Sequence, residues 1–317
     1  MRSRLKPITD MEIDGEMKVK DLTAQMLASG GFTAKKLGVA CGIMRKMFKE
    51  PKCTIFLSFP ACIISTGTRG VIRRLVEDKL VDVIITTCGT LDHDLARVWK
   101  KYYHGDFLMD DAELHRKGIN RLGNILIPNE SYGIVLEEKM QPILEELYAE
   151  GKRTMSSRQL AYEFGMRVND KKSILYWAAR NDIPIYVPGI TDGAFGSQLW
   201  LFKQQKPNFN VDVLKDEQEL SDIVFTSKKA GAIMIGGGIS KHHVIWWNQF
   251  RDGLDYAVYL TTAEEYDGSL SGARLREAVS WGKVKENAQY ITVEGDATIT
   301  LPLIVSSVQG VGRPARD

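Results

Sequence analysis

No apolar run in this 317-residue chain approaches the roughly 20 residues a membrane-spanning helix needs. Charge of one sign is missing too. The formal net charge is +2, which excludes a broad basic face for nucleic acid or an anionic membrane, so neither partner is expected. The basic start at Arg2, Arg4 and Lys6 is followed by no apolar signal core. Cysteine is scarce: Cys41, Cys53, Cys62 and Cys88 fall at no metal-ligand spacing. They read as reduced core thiols of a cytoplasmic protein, and no metal site is expected. Neither a G-x-G-x-x-G after the first strand nor a G-x-x-x-x-G-K-[ST] occurs, so both standard phosphate fingerprints are absent. There is no internal repeat. What remains is an ordinary globular mix, 44% hydrophobic and 26% charged, long enough for one large domain or two small ones.

Short continuous apolar runs alternate with amphipathic segments. Strands are predicted over 53–59, 81–87, 183–187, 232–235 and 256–260, with helices over 71–79 and from Asp92 onward. Runs that are apolar throughout suit a parallel sheet covered on both faces. The expected fold is therefore α/β, a Rossmann-like, doubly wound, mainly parallel sheet. Pro184 predicts that its strand starts late or lies at an edge. Helical patterns over 19–29 and 35–48 predict an α-helical N-terminal extension packed on the main domain or on a neighbouring subunit. The expected boundaries are 1–50 for the extension, 51–308 for a single catalytic domain and 309–317 for a flexible tail.

In such a sheet, ligands bind beyond the C-terminal strand ends. The loops there are 60–67, 86–89, 189–193, 236–238 and 261–264, and they carry glycines or hydroxyls. Among them are Ser65 and Gly237, where backbone amides can approach a phosphate. Any one of these loops alone is also ordinary turn chemistry. Ser240 is positioned to cap the helix after the triple glycine. His242 and His243 are adjacent, so they diverge on a helix and form no chelating pair; one can serve as a proton carrier. The acids Asp192, Glu264, Glu265, Asp267, Glu277 and Asp296 fall mostly at strand ends or in glycine turns, a pattern suited to a cationic ligand.

The stretch Glu277-Ala278-Val279-Ser280-Trp281-Gly282-Lys283 is the most telling. A lysine packed against an aromatic wall, with a carboxylate six positions upstream, is a candidate amine nucleophile. The plain alternative is a surface lysine after a glycine turn.

Gly236 to Lys283 resembles the deoxyhypusine synthase family, with Lys241-His242-His243, Thr261-Thr262-Ala263, Tyr266-Asp267-Gly268-Ser269, Ser271-Gly272-Ala273-Arg274 and the closing lysine motif. Thr191-Asp192-Gly193, residues 118–124 and Ile127-Pro128-Asn129-Glu130 resemble it as well. The resemblance implies an NAD-dependent aminobutyltransferase. Spermidine is oxidised, its 4-aminobutyl group passes to an enzyme lysine as an imine, and then to one lysine of the hypusine-containing translation initiation factor. It implies a Rossmann-like homotetramer with sites at subunit interfaces. By motif, Lys283 is the nucleophile and His242 assists proton transfer. Glu277 holds an ammonium, Trp281 walls the amine channel, and Gly268 and Ser271 lie in the loop touching amine and cofactor. Thr87, Gly89, Asp192, Thr262, Ala263, Asp267, Asp296 and Ala297 line the NAD site.

The chain departs from the family pattern at amine-binding positions. Ser197 and Leu270 stand where the family has acids, Asp92-His93 replaces an acidic pair, Ala61-Cys62 replaces Ser-Asn, and Trp246 replaces an asparagine. Losing a carboxylate from a buried ammonium costs about 2–5 kcal/mol. Either Asp92, Glu264 or Glu265 compensates, or the donor differs. The alternatives are the same imine chemistry with another donor or a small-amine acceptor, as in homospermidine synthesis, and a weakly active partner subunit.

Overall fold

The computed structural model describes residues 5–314. Met1 to Arg4 and the last three residues of the expected tail lie outside the described residues. The elements run α1 (Val19–Ala28), α2 (Phe32–Lys49), β1 (Cys53–Phe59), α3 (Arg69–Glu77), β2 (Val83–Thr86) and α4 (Cys88–Trp99). Next come β3 (Tyr103–His104), α5 (Asp111–Arg116), β4 (Ile119–Leu122), β5 (Ile125–Pro128), α6 (Gly133–Ala149), β6 (Thr154–Met155), α7 (Ser157–Arg167) and α8 (Ile174–Arg180). Then follow β7 (Ile185–Tyr186), α9 (Ala194–Gln205), β8 (Asn210–Val211) and α10 (Val213–Thr226). The chain closes with β9 (Lys229–Ile235), α11 (Ile239–Gln249), β10 (Leu254–Thr261), α12 (Leu275–Ser280), β11 (Val284–Glu294) and α13 (Ala297–Val308).

The main sheet has six strands in the order β11-β10-β9-β1-β2-β7. Its chain order runs outward in both directions, as in a doubly wound fold. Every residue of β2 is buried, as is nearly all of β1 and β9, which accounts for their unbroken apolar sequences. β7 starts after Pro184 and is an edge strand, as the proline predicted. Helix α4 begins at Cys88 rather than Asp92: Thr87 takes the N-cap position, and Asp92 falls a full turn inside. No helix among the described residues is long and apolar enough to cross a membrane.

Two compact units divide the chain, Met1–Phe56 with Phe225–Asp317, and Leu57–Val224. In the first, β10 lies parallel between β9 and β11, with Val258 opposite Ile233 and Ile291. Helices α1, α2 and α13 pack on one another, and α2 and α13 reach β10. The N-terminal helices are tied in by side chains as well. Thr23 meets the Ser307 hydroxyl at 2.9 Å, and Lys36 Nζ pairs with Glu294 at 2.7 Å.

In the second unit, β2 and β7 are parallel, β3-β5-β4 form an antiparallel sheet and β6-β8 a short parallel pair. The stretch 118–130 that helped carry the resemblance is the β4–β5 hairpin. Gly118 and Gly123 take left-handed φ of 67° and 62°, and Asn120 Nδ2 donates to Asn129 Oδ1 at 2.8 Å. Asp94 is fully buried and serves as a hub. It pairs with Arg69 at 2.6 Å and accepts from Ser173 Oγ and from the amides of Ile174 and Leu175 at the start of α8. Three of the four cysteines are buried. Cys62 is exposed, which corrects the expectation of four core thiols: its 3-10 turn, Ala61–Ser65, turns Ile63 and Ile64 inward instead.

Candidate active site

Lys283 owes its place to the way α12 ends. Trp281 is the C-cap, and Gly282 follows with φ of 66°. The Gly282 amide donates to Val279 O and the Lys283 amide to Ala278 O, both at 3.0 Å. This is a Schellman turn, whose left-handed position calls for glycine. It delivers Lys283 directly into β11. The lysine is 8% exposed, so it is not the surface residue that a glycine turn alone would suggest. Its Nζ lies 5.1 Å from the centre of the Trp281 ring and 5.7 Å from that of Trp246. No carboxylate among the described residues pairs with it.

Lys283 shares a cavity of about 190 Å³ with Lys241, His242, Leu270, Arg274, Glu277 and Trp281. Glu277 is the only acid in that lining. His242 and Trp246 are one turn apart on α11, and their rings stack at 5.6 Å and 29°. Burial lowers the His242 pKa below its usual value, and the neighbouring Lys283 and His243 lower it further. The imidazole is therefore neutral near pH 7 and able to accept a proton.

Lys241 has no role assigned by its motif, although it precedes His242 directly. It is 1% exposed, and its Nζ donates to Leu270 O (2.8 Å) and Ala273 O (2.6 Å), with the Tyr259 ring 3.9 Å away. Burial pushes its pKa down to about 8, with Glu277 opposing the shift and Arg274 adding to it. The signal that could have found it is helical spacing: Lys241, Val244, Ile245 and Asn248 form the buried face of α11. The loop carrying Gly268 and Ser271 is fastened at several backbone points. Tyr259 Oη and Thr261 Oγ1 donate to Ser271 O at 2.5 and 3.0 Å, and Arg274 Nη1 donates to Ala263 O and Gly272 O. Gly268 turns with φ of 70°, and a Cβ on Gly272 would sit 2.1 Å from Glu264 O. Asp267 Oδ1 accepts from Ser269 N, and hydrogen bonding from the Ser269 hydroxyl, then from this amide, lowers its pKa.

Three parallel strand ends of the first unit gather other predicted positions. Gly237 follows β9, Thr262 and Ala263 follow β10, and Asp296 and Ala297 follow β11. Gly236 and Gly237 adopt left-handed φ of 52° and 91°. Helix α11 has Gly238 at its N-cap and no side-chain cap. Ser240 thus lies inside the first turn, not at the cap, and its buried hydroxyl has no hydrogen-bond partner among the described residues. Asp296 caps α13 by accepting from Thr298 N at 2.8 Å.

The other predicted positions lie in the second unit, also after strands. Ser65 Oγ donates to Cys62 O within its own 3-10 turn, and Thr87 Oγ1 accepts from Ala61 N at the start of that same turn, tying the two loops together. Gly89 is in the first turn of α4, and a Cβ there would meet that of Ala61 at 2.8 Å. Asp192 is exposed just before α9.

Two of the three acids proposed to compensate for Ser197 and Leu270 are engaged elsewhere. Asp92 is fully buried, accepts from Tyr132 Oη (2.7 Å), and caps α9 through the amides of Ala194 (2.9 Å) and Phe195 (2.7 Å). Glu265 is ion-paired with Arg276. His93 cannot replace an acid. Burial and then Arg97 push its pKa down to about 4, and its Nδ1 hydrogen-bonds Tyr102 Oη at 2.9 Å.

A family model for deoxyhypusine synthase matches residues 21–308. Proteins named probable deoxyhypusine synthase are similar over nearly the whole chain. That of Thermoplasma volcanium is 58% identical over 95% of this chain and 96% of its own. That of Ignicoccus hospitalis is 47% identical over 96% and 95%. The solved structure of a candidate deoxyhypusine synthase from Entamoeba histolytica shares the fold, with a TM-score of 0.66 at 24% identity over 96% of this chain and 98% of that one. On the family match and these sequence relatives, the chain belongs to the deoxyhypusine synthase family, a family of aminobutyltransferases.

Proposed function

We propose that the chain transfers the 4-aminobutyl group of spermidine, through an imine on Lys283, to one lysine of the hypusine-containing translation initiation factor. The observation that carries this reading is the Lys283 amine itself: buried, free of any carboxylate partner among the described residues, and set in one cavity with Glu277, His242 and Trp281. NAD, when bound, would supply hydride chemistry at the amine-bearing carbon. The residues present fit such a dinucleotide. The glycines after β9 leave the first-turn amides of α11 without a side-chain cap, open to a phosphate. Within the first unit Gly237, Thr262, Ala263, Asp267, Asp296 and Ala297 would hold it; Ser65, Thr87, Gly89 and Asp192, in the second unit, carry the same assignment by motif alone.

In this reading Glu277 binds an ammonium end of the donor, and Trp281 and Leu270 line its methylene chain. Gly268 and Ser271 belong to the loop that would contact amine and cofactor. Neutral His242 accepts the proton released as the donor nitrogen reacts. Lys283 Nζ would then bond to the amine-bearing carbon as the bond from that carbon to the diamine nitrogen breaks and the diamine leaves. A homotetramer with interfacial sites, working in the cytoplasm, belongs to the same proposal.

A second reading keeps this chemistry with a donor of fewer charges or a small-amine acceptor. Glu277 as the single acid of the cavity, beside the apolar Leu270, favours it. The test is incubation with NAD and spermidine labelled in the aminobutyl group, with and without the initiation factor, followed by borohydride. Label on the factor supports the first reading, and homospermidine alone supports the second. Equal trapping of enzyme-bound label by Lys283→Ala and wild type refutes the nucleophile assignment.

A further inference from the structure

Trp246 has no part in the reaction as described above, yet its ring stands beside both reacting groups. Lys283 Nζ is 5.7 Å from its centre and 5.1 Å from that of Trp281, both within the range of a cation–π contact. The His242 ring stacks on it at 5.6 Å, and Phe250 meets it edge-on at 5.8 Å, so the indole is held from two sides. The positions 242, 246 and 250 follow one another at helical-turn spacing, the last being the C-cap of α11. With His242 kept neutral by burial, the stacked imidazole brings no second positive charge to this ring.

We propose that Trp246 and Trp281 together form a two-walled aromatic slot that stabilises the positive charge of the imine on Lys283. The inference rests on the reading of Lys283 as the imine-forming lysine. In the transfer step, Lys283 Nζ bonds to the carbon of the protonated donor imine. The bond from that carbon to the departing diamine nitrogen breaks, the diamine leaves neutral, and the positive charge stays on the new protonated imine. No carboxylate among the described residues pairs with this nitrogen, and the two indole faces are its cation partners. The slot suits an unbranched aliphatic imine, whose charge can lie beside both rings, and Trp246 is a further residue that selects for it.

The test uses butanal, which condenses with a lysine amine to give an imine and water. Cyanoborohydride reduces that imine to a stable secondary amine, so neither NAD nor spermidine is needed. The full-length protein, its Trp246→Leu, Trp246→Gln and Trp246→Phe variants are treated in parallel, and the rate of butyl addition at Lys283 is read by peptide mass mapping, with exposed lysines as internal reference. Trp246→Leu and Trp246→Gln are expected to slow addition at Lys283 by about 5- to 30-fold, the range of a partly desolvated cation–π contact, and Trp246→Phe by at most about threefold. A tryptophan that merely covers Lys283 gives the opposite result, faster addition once removed. Unchanged or faster addition in either non-aromatic variant overturns the proposal, as does a loss in Trp246→Phe equal to theirs. A wild type that reacts with butanal at Lys283 but takes no label from spermidine overturns the transfer reading, while the comparison among variants still decides the slot.

Discussion

Lys241→Met tests the energetics of the floor beneath the active-site loop. The wild-type amine is 1% exposed, and its pKa falls from 10.5 to about 8 because burial disfavours the ammonium. At about 1.4 kcal/mol per pH step, that difference makes the buried ammonium unfavourable by about 3 kcal/mol wherever both states are protonated. Between pH 8 and 10.5 the unfolded chain holds the proton and the folded chain has released it. Stability attributable to Lys241 therefore rises with pH through this window and is lowest below pH 8. The contacts with Leu270 O and Ala273 O survive this titration, since a neutral amine keeps two N–H donors for two carbonyls. Methionine removes the charge but strands both acceptors, at about 1–3 kcal/mol each. Near pH 7 the two effects largely offset, and the variant is close to wild type or modestly weaker. By pH 10.5 it falls behind by about 3 kcal/mol more. Denaturant midpoints of both proteins, measured at fixed protein concentration from pH 7.5 to 10.5, give the difference directly, with other titrating groups cancelling. A difference that stays flat, or shrinks as pH rises, refutes the buried-ammonium account.

Asp94→Ala leaves Arg69 buried without its partner and strips the cap from α8, so a loss of about 3–5 kcal/mol in unfolding free energy is expected, with Asp94→Asn losing less. His242 has a folded pKa below its unfolded value, so its contribution to stability is present above pH 6.5 and is lost as pH falls through the folded pKa. The acid limb of kcat/KM is expected below the usual histidine range, and His242→Gln is expected to abolish that limb while lowering the rate by about 10²-fold or more; an unchanged limb removes His242 from proton transfer.

Much of the fold is legible where a single physical demand governs the sequence. The central strands are buried on both sides, so they read as unbroken apolar runs, and Pro184 marks an edge. β11 is not legible as a strand because it lies at an edge, its first half carries Lys285, Glu286, Asn287 and Gln289, and its burial alternates irregularly. The helices of the second unit are harder to read because side-chain and close backbone contacts define them. The amide of Ile174 depends on Asp94, eighty residues away, and Gly165 lets α7 approach Leu175 O so closely that a Cβ would sit at 2.3 Å. The site shows the same contrast. Trp281, Gly282 and Lys283 form a local turn whose geometry is written in three consecutive residues. Lys241 takes its role from carbonyls about thirty residues downstream, and nothing adjacent announces it.

The charge balance of the cavity bears on the donor. Lys241 and Arg274 are both buried behind the loop and hold it through backbone oxygens, and Lys283 projects into the same space. Glu277 is the one acid in that lining, and its charge already acts on Lys241. Arg274 finds some relief in Glu294 at 3.6 Å; Lys241 has no such ion pair among the described residues. A donor entering this cavity therefore meets a carboxylate that is partly engaged and a wall, Leu270, that offers no charge. In the proposed reading, its ammonium nearest Lys283 is held by Glu277, and the carbon chain by Leu270 and Trp281. Any further ammonium must be met by groups outside this lining. Asp92 does not supply them, because Tyr132 and two α9 amides occupy its oxygens, and neither does Glu265, which is paired with Arg276. Affinity for the donor should accordingly depend steeply on Glu277 and on chain length, and only weakly on the number of charges at the far end.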